Sequence, residues 1–161
     1  MNIIEYALKM EKDGEIYYRD LAANAGNNGV EDIFNLMADA EAQHYKAFLQ
    51  LRDNLPIPVT DDKILSQVKN VFQQMQLNKD KVSVKDEQVE AYKKARTIEK
   101  ESREFYLQKA GELSDPTERD LCLKIAEEEK QHYLILDNII EFMSRPDTWL
   151  EDAEWHHMDV Y

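Results

Sequence analysis

Two matching octapeptides carry the residues best suited to chemistry. Residues 38–45 read ADAEAQHY and residues 126–133 read AEEEKQHY. Each sets a Glu three residues before a His: Glu41 with His44, and Glu129 with His132. On an α-helix, residues i and i+3 share a face, so each pair can grip one metal ion from one side. The apolar residues around them identify that face. Cys122, Ile125, Glu129, His132, Leu136, Ile139 and Met143 follow an alternating three- and four-residue step. Phe34, Met37, Glu41, His44, Phe48, Leu51 and Leu55 do the same. That spacing marks the buried seam of a helix bundle, so a carboxylate and an imidazole stand where the pattern asks for Leu. A buried carboxylate costs roughly several kcal/mol unless it is protonated, paired or metal-bound. Metal accounts for four such residues in two matching places. Ion pairing within the core is the competing explanation.

The elements that must position these groups follow from the caps and breakers. Asn2 caps a first helix, with Glu5 at the capping-box position and Gly26 as its stop. Its seam, Ile4, Ala7, Glu11, Gly14, Tyr18, Leu21 and Ala25, is again interrupted by a Glu. Gly14 weakens a helix by about 1 kcal/mol against Ala, but it leaves room beside a metal. A second helix is expected over about residues 30–54, ended by Pro56 and Pro58. Ile64, Val68, Val71, Phe72 and Met75 predict a shorter amphipathic helix over about 61–77, inside a connector too long for a hairpin. A third long helix starts near 84–86 and ends near Leu113, with the seam Tyr92, Ala95, Glu99, Ser102, Tyr106, Lys109 and Leu113. Asp115 before Pro116 starts a fourth, which runs to about Ser144.

A shift of 88 positions aligns the two halves without a gap. Ala7 falls on Ala95, Glu11 on Glu99, Tyr18 on Tyr106, Glu41 on Glu129 and His44 on His132. Gly14 falls on Ser102, small against small. Each half is a helical hairpin giving one Glu from its first helix and Glu-x-x-His from its second. Two halves face to face supply four Glu and two His, the ligand set of a carboxylate-bridged dinuclear centre in a four-helix bundle.

With these motifs, over residues 2–144, the chain resembles the ferritin-like superfamily, and within it the rubrerythrin-like di-iron proteins. The resemblance implies an all-α, ferritin-like four-helix bundle with a long crossover between helices 2 and 3 that contains a short helix. It implies two Fe ions held by Glu11, Glu41, His44, Glu99, Glu129 and His132, with Glu41 and Glu129 bridging and Glu11 and Glu99 terminal. There are two departures. Rubrerythrins carry a second Glu one turn after the helix-3 ligand, where Ser102 stands here. They also carry a rubredoxin domain with Cys pairs, for which this chain's single Cys is too few. An external electron donor, such as a rubredoxin, is therefore expected.

Composition bounds the rest. The 161 residues fit one bundle domain, 1–145, with pseudo-repeats at about 2–55 and 86–144 and a C-terminal tail, 146–161. A formal net charge of −13 argues against a nucleic-acid partner. One Cys excludes an intramolecular disulfide and a Cys-rich metal site, and Cys122 reads as a small core residue. No run of about 18 apolar residues suggests a membrane span, and the first residues do not read as a secretory signal, so a cytoplasmic location is expected. Carboxylates with one imidazole per ion suit Fe or Mn, with Zn or Co as substitutes where availability decides.

Tyr18 and Tyr106 each lie seven residues after a ligand Glu. Helical side chains lean toward the N-terminus, so both hydroxyls can reach the cluster as redox or supporting groups; large core residues with hydrogen-bonded hydroxyls are the other reading. Tyr45 and Tyr133 read as packing residues, and Glu127 and Glu128 as solvated helix face, though either can orient a ligand His. In the tail, His156 and His157 are metal-adjacent only if it folds back, and Trp149 and Trp155 read as anchors for the tail or a partner subunit. Three functions are open: an oxidoreductase reducing hydrogen peroxide or dioxygen, an iron-oxidising storage or delivery protein, and a metal-stabilised adaptor without turnover. A homodimer is expected, with exchange of helices 3 and 4 between copies as an alternative connectivity.

Overall fold

The computed structural model describes residues 2–58, 60, 63–83 and 85–150. Among them lie six helices: α1 (Ile3–Ala23), α2 (Asn28–Arg52), α3 (Ile64–Asn78), α4 (Asp86–Glu112), α5 (Pro116–Ser144) and the single turn α6 (Pro146–Trp149). Three of the four long helices start on side-chain caps or caps with Pro, as their sequences dictate. Asn2 Oδ1 accepts from Glu5 N at 2.8 Å, Asn27 Oδ1 from Val30 N at 3.0 Å, and Asp115 Oδ1 from Thr117 N at 2.8 Å. Pro116 occupies the first turn of α5, where a missing N–H loses nothing. At the start of α4, Gln88 Oε1 accepts from Lys85 N, while its Nε2 donates to the carbonyls of Asn24 and Ala25. One side chain thus ties the head of α4 to the end of α1.

Two helix ends differ from the expected ones. α1 ends at Asn24, whose N–H closes on Asp20 and Ala22, and Gly26 takes its positive φ of 72° in the following turn. α2 ends at Arg52, before either proline. Asn54 adopts φ 55°, and Leu55 N reaches back to Gln50 O at 2.9 Å while Asn54 N reaches Leu51 O. This left-handed closure satisfies the last carbonyls, and Asn tolerates it better than most residues. Leu55 therefore leaves the seam and is 53% exposed. α3 ends in the same way at Lys79, with φ 53°.

α1 packs along α2, and α4 along α5, as two hairpins. The hairpins meet through α1 against α4 and α2 against α5. α3 lies in the crossover, in contact with α2 and α5. At 15 residues it covers about 22 Å of the path along the bundle. The fold is all-α, the ferritin-like arrangement.

The core falls into two apolar clusters. One gathers Phe34, Met37, Phe72, Tyr92, Ile135, Ile139 and Phe142, and the other gathers Ala7, Phe48, Tyr106, Cys122 and Ile125. Trp149 of α6 belongs to the first: it is fully buried, with ring centroids 4.7 Å from Phe72 and 5.6 Å from Phe142. It anchors the chain beyond α5 to this molecule's own crossover helix. Trp155, His156 and His157 lie outside the described residues. No described helix is long and apolar enough to cross a membrane.

Candidate metal centre

The six buried polar residues of the two repeats meet inside the bundle: Glu11 on α1, Glu41 and His44 on α2, Glu99 on α4, Glu129 and His132 on α5. None is more than 3% exposed. Their ligand atoms form two groups, Glu11–Glu41–His44–Glu129 and Glu41–Glu99–Glu129–His132, with all atoms of a group within 4.8 Å of one another. The two groups share Glu41 and Glu129. Each keeps one Glu and one His to itself, which is the pattern of two ions joined by two bridging carboxylates.

The pseudo-twofold holds atom by atom. His44 Nδ1 lies 3.3 Å from Glu11 and 3.2 Å from Glu129; His132 Nδ1 lies 3.2 Å from Glu99 and 3.0 Å from Glu41. The two imidazoles stack at 5.7 Å, their planes 12° apart. In both rings Nδ1 faces the carboxylates, so Nδ1 is the atom available to a metal. Tyr106 donates its hydroxyl to Glu11 Oε1 at 2.6 Å, and Tyr18 donates to Glu99 Oε1. Both tyrosines are buried and both reach the cluster, each donating to a carboxylate of the other hairpin.

Without an ion the cluster balances itself by protonation. Burial alone would raise Glu11, but the facing His44 charge and hydrogen bonds from Glu41, His44 and Tyr106 hold it below the usual carboxylate range. Burial would likewise raise Glu99, yet the His132 charge and its hydrogen bonds bring it down to about 2. Burial pushes Glu41 well above the usual range, and the charges of Glu11, Glu129 and Glu99 add to it. Glu129 is pushed the same way by burial and by the charges of Glu99 and Glu11. Burial works to lower His44, but Glu11 outweighs it and raises the imidazole well above its ordinary value. Burial, then the charges of Glu99 and Glu41, raises Tyr18, and burial and Glu11 raise Tyr106, so both remain O–H donors. In the metal-free site, proton affinity is thus shifted away from Glu11 and Glu99 and toward Glu41, Glu129 and His44.

The residues fit a pair of metal ions. Glu99 Oε2 and Glu129 Oε1 are buried and make no hydrogen bond, although Glu129 Oε1 faces His44 Nδ1 at 3.2 Å, so both keep lone pairs for a cation. The donor set is oxygen-rich with one imidazole per group, which suits Fe or Mn. Cys122 lies in the neighbouring apolar cluster, outside both groups, with its thiol pushed up to about 11 by burial and by Glu118. A cavity of about 240 Å³ opens between α1 and α4 onto all four carboxylates of the cluster. Gly14 and Ser102 form part of its wall. A Cβ on Gly14 would stand 3.0 Å from Glu41 Oε2, so the missing side chain leaves the room that Glu41 occupies.

One residue departs from its expected place. Glu127 is exposed, but Glu128 is buried, with Oε1 3.4 Å from His44 Nε2 and Oε2 accepting from Thr60 Oγ1 at 2.6 Å. A sequence signal for this exists. Leu121, Ile125, Glu128, His132, Ile135, Ile139 and Phe142 form a second row of four- and three-residue steps beside the main seam, and all are buried. Helix α5 therefore buries two rows, and at Glu128 the residue that meets the second is Thr60, between α2 and α3.

Four helices closing on two carboxylate–histidine groups with two shared carboxylates define a ferritin-like protein of the dinuclear carboxylate class. A family model described as Rubrerythrin matches residues 2–140, and the chain belongs to the rubrerythrin family. No curated protein and no solved structure matches it.

Proposed function

We propose that the chain is a non-haem di-iron oxidoreductase that reduces hydrogen peroxide or dioxygen with electrons from an external donor, such as a rubredoxin. The observation that carries this is the sharing of Glu41 and Glu129 between two otherwise separate ligand groups. Glu11 and His44 would complete one position, and Glu99 and His132 the other. Mn or Zn can take the same donors, but Zn has no redox chemistry and would not turn over. When bound as a ferrous pair, the metals supply the two electrons that, with two protons, break a peroxide O–O bond into two waters.

The chain's own residues do the rest. Glu41 and Glu129, the residues common to both groups, would hold two cations close together as carboxylates, and any protons they carry in the metal-free protein would leave on loading. Tyr106 and Tyr18 fix the terminal carboxylates by donating to Glu11 and Glu99. The cavity between α1 and α4, with Met10, Tyr17 and Ile98 in its wall, gives a small oxidant a path to the carboxylates. The proposed electron donor is a separate protein, and a homodimer is the assembly we propose. Stopped-flow mixing of the ferrous protein with peroxide tests the reading. Oxidation well above the rate for free ferrous ion supports it, and oxidation no faster overturns it.

A further inference from the structure

The pseudo-twofold that relates all six ligands breaks at one place. Glu128, adjacent to Glu129 on α5, is 3% exposed; one of its oxygens is hydrogen-bonded, and the other lies opposite a ring nitrogen of His44 that makes no hydrogen bond in the metal-free protein. Oε2 accepts from Thr60 Oγ1 at 2.6 Å, and Oε1 faces His44 Nε2 at 3.4 Å. Thr60 belongs to the crossover between α2 and α3 and is itself 2% exposed. His44 turns Nδ1 to Glu11 and Glu129, so Nε2 points out of the cluster toward Glu128. In the other half, the residue 88 positions before Glu128 is Ala40, which offers no acceptor. The carboxylates recorded against His132, Glu41 and Glu99, both lie at Nδ1.

We infer that Glu128, held by Thr60, is a positioning residue for His44 alone, and that it makes the two metal positions unequal. The position of Glu11 and His44 binds its ion more tightly than that of Glu99 and His132. This rests on the dinuclear reading above. A carboxylate facing one imidazole nitrogen keeps the proton on that nitrogen, aims the lone pair of the other at the metal and makes it a better donor. A buried carboxylate can do this only if its second oxygen is also satisfied, and Thr60 does that. The crossover segment, absent from the symmetric core, thereby acts on one metal position and not on the other.

Anaerobic titration of the metal-free full chain with Co²⁺, followed by visible absorption and calorimetry, tests this. The wild type should take up two equivalents in separate steps. His44→Ala should retain one, which identifies the weaker step by its affinity and spectrum. Glu128→Gln keeps the volume and the Thr60 contact but loses the charge, and should weaken the tighter step by roughly 10- to 100-fold while the weaker one stays put. Thr60→Val, in a crossover outside the long helices, should weaken the same step by less. Two equal steps in the wild type, an unchanged tighter step in Glu128→Gln, or an equal weakening of both steps with a lower metal-free melting temperature overturns the inference. Fewer than two equivalents bound by the wild type overturns the dinuclear reading itself, whatever the variants do.

Discussion

Tyr106 on α4 donates its hydroxyl to Glu11 on α1 at 2.6 Å, and its repeat partner Tyr18 donates back across the bundle to Glu99. Each hairpin thus holds a terminal carboxylate of the other, so the hairpins are joined by the same groups that face the site. Tyr106→Phe leaves Glu11 charged, buried and short of one donor. A hydrogen bond to a charged group is worth about 1.5–3 kcal/mol, so the metal-free protein should lose stability of that order. Tyr18→Phe should behave alike. Urea denaturation of the metal-free variants measures this; an unchanged midpoint for both would mean that the contacts contribute nothing.

The shared carboxylates predict an asymmetry between substitutions. Glu129→Ala removes a residue common to both groups, so occupancy should fall at both positions. Glu11→Ala removes a residue of one group, so one equivalent should remain. Metal analysis after anaerobic iron loading reads both variants. Two full equivalents on Glu129→Ala with unchanged spectra would show that the metals sit elsewhere.

Stability without metal should fall as pH rises. Glu41 and Glu129 are raised above their ordinary 4.5 in the folded chain, so they favour folding below that value and lose their contribution as pH climbs through their folded values. His44 is raised above 6.5 and acts in the same direction at higher pH. Glu99, lowered to about 2, favours folding above 4.5 and fails only as pH drops toward 2. The metal-free melting temperature should therefore peak in mild acid and decline toward neutral pH and above. Bound metal replaces the protons, so the loaded protein should not show that decline. Parallel thermal scans from mild acid to pH 8 decide it, with flat metal-free curves as the contrary result.

The bundle and the six clustered residues were legible because a Glu in an apolar heptad row is conspicuous, and the 88-residue shift shows it four times. Other features depend on what lies across from a helix. Glu128 read as solvated face, since its partners, Thr60 of the crossover and His44 of α2, come from segments distant in sequence. The lean of helical side chains placed the Tyr18 and Tyr106 hydroxyls toward the cluster, but which carboxylate each would meet is set by the packing of α1 on α4. The end of α2 was decided by a local left-handed Asn54, two residues ahead of the first proline breaker. Trp149 could be read as an anchor, but the aromatic pocket it fills exists only once Phe72 and Phe142 come together.

Gly14 separates the demands of the helix from those of the site. It lies inside α1, where Ala would favour the helix by about 1 kcal/mol. Yet an added Cβ would stand 3.0 Å from Glu41 Oε2. That oxygen ends a flexible side chain, so the metal-free protein can turn Glu41 aside at little loss. The metal-bound protein cannot, because Glu41 belongs to both ligand groups. Gly14→Ala should therefore leave the metal-free protein as stable as wild type or slightly more so, while weakening the binding of both metals. Ser102→Ala, at the matching place on α4, should disturb neither. Melting temperatures of the metal-free proteins and iron titrations of all three chains give the answer. A Gly14→Ala protein that loads two irons with wild-type affinity would show that Glu41 does not need the space.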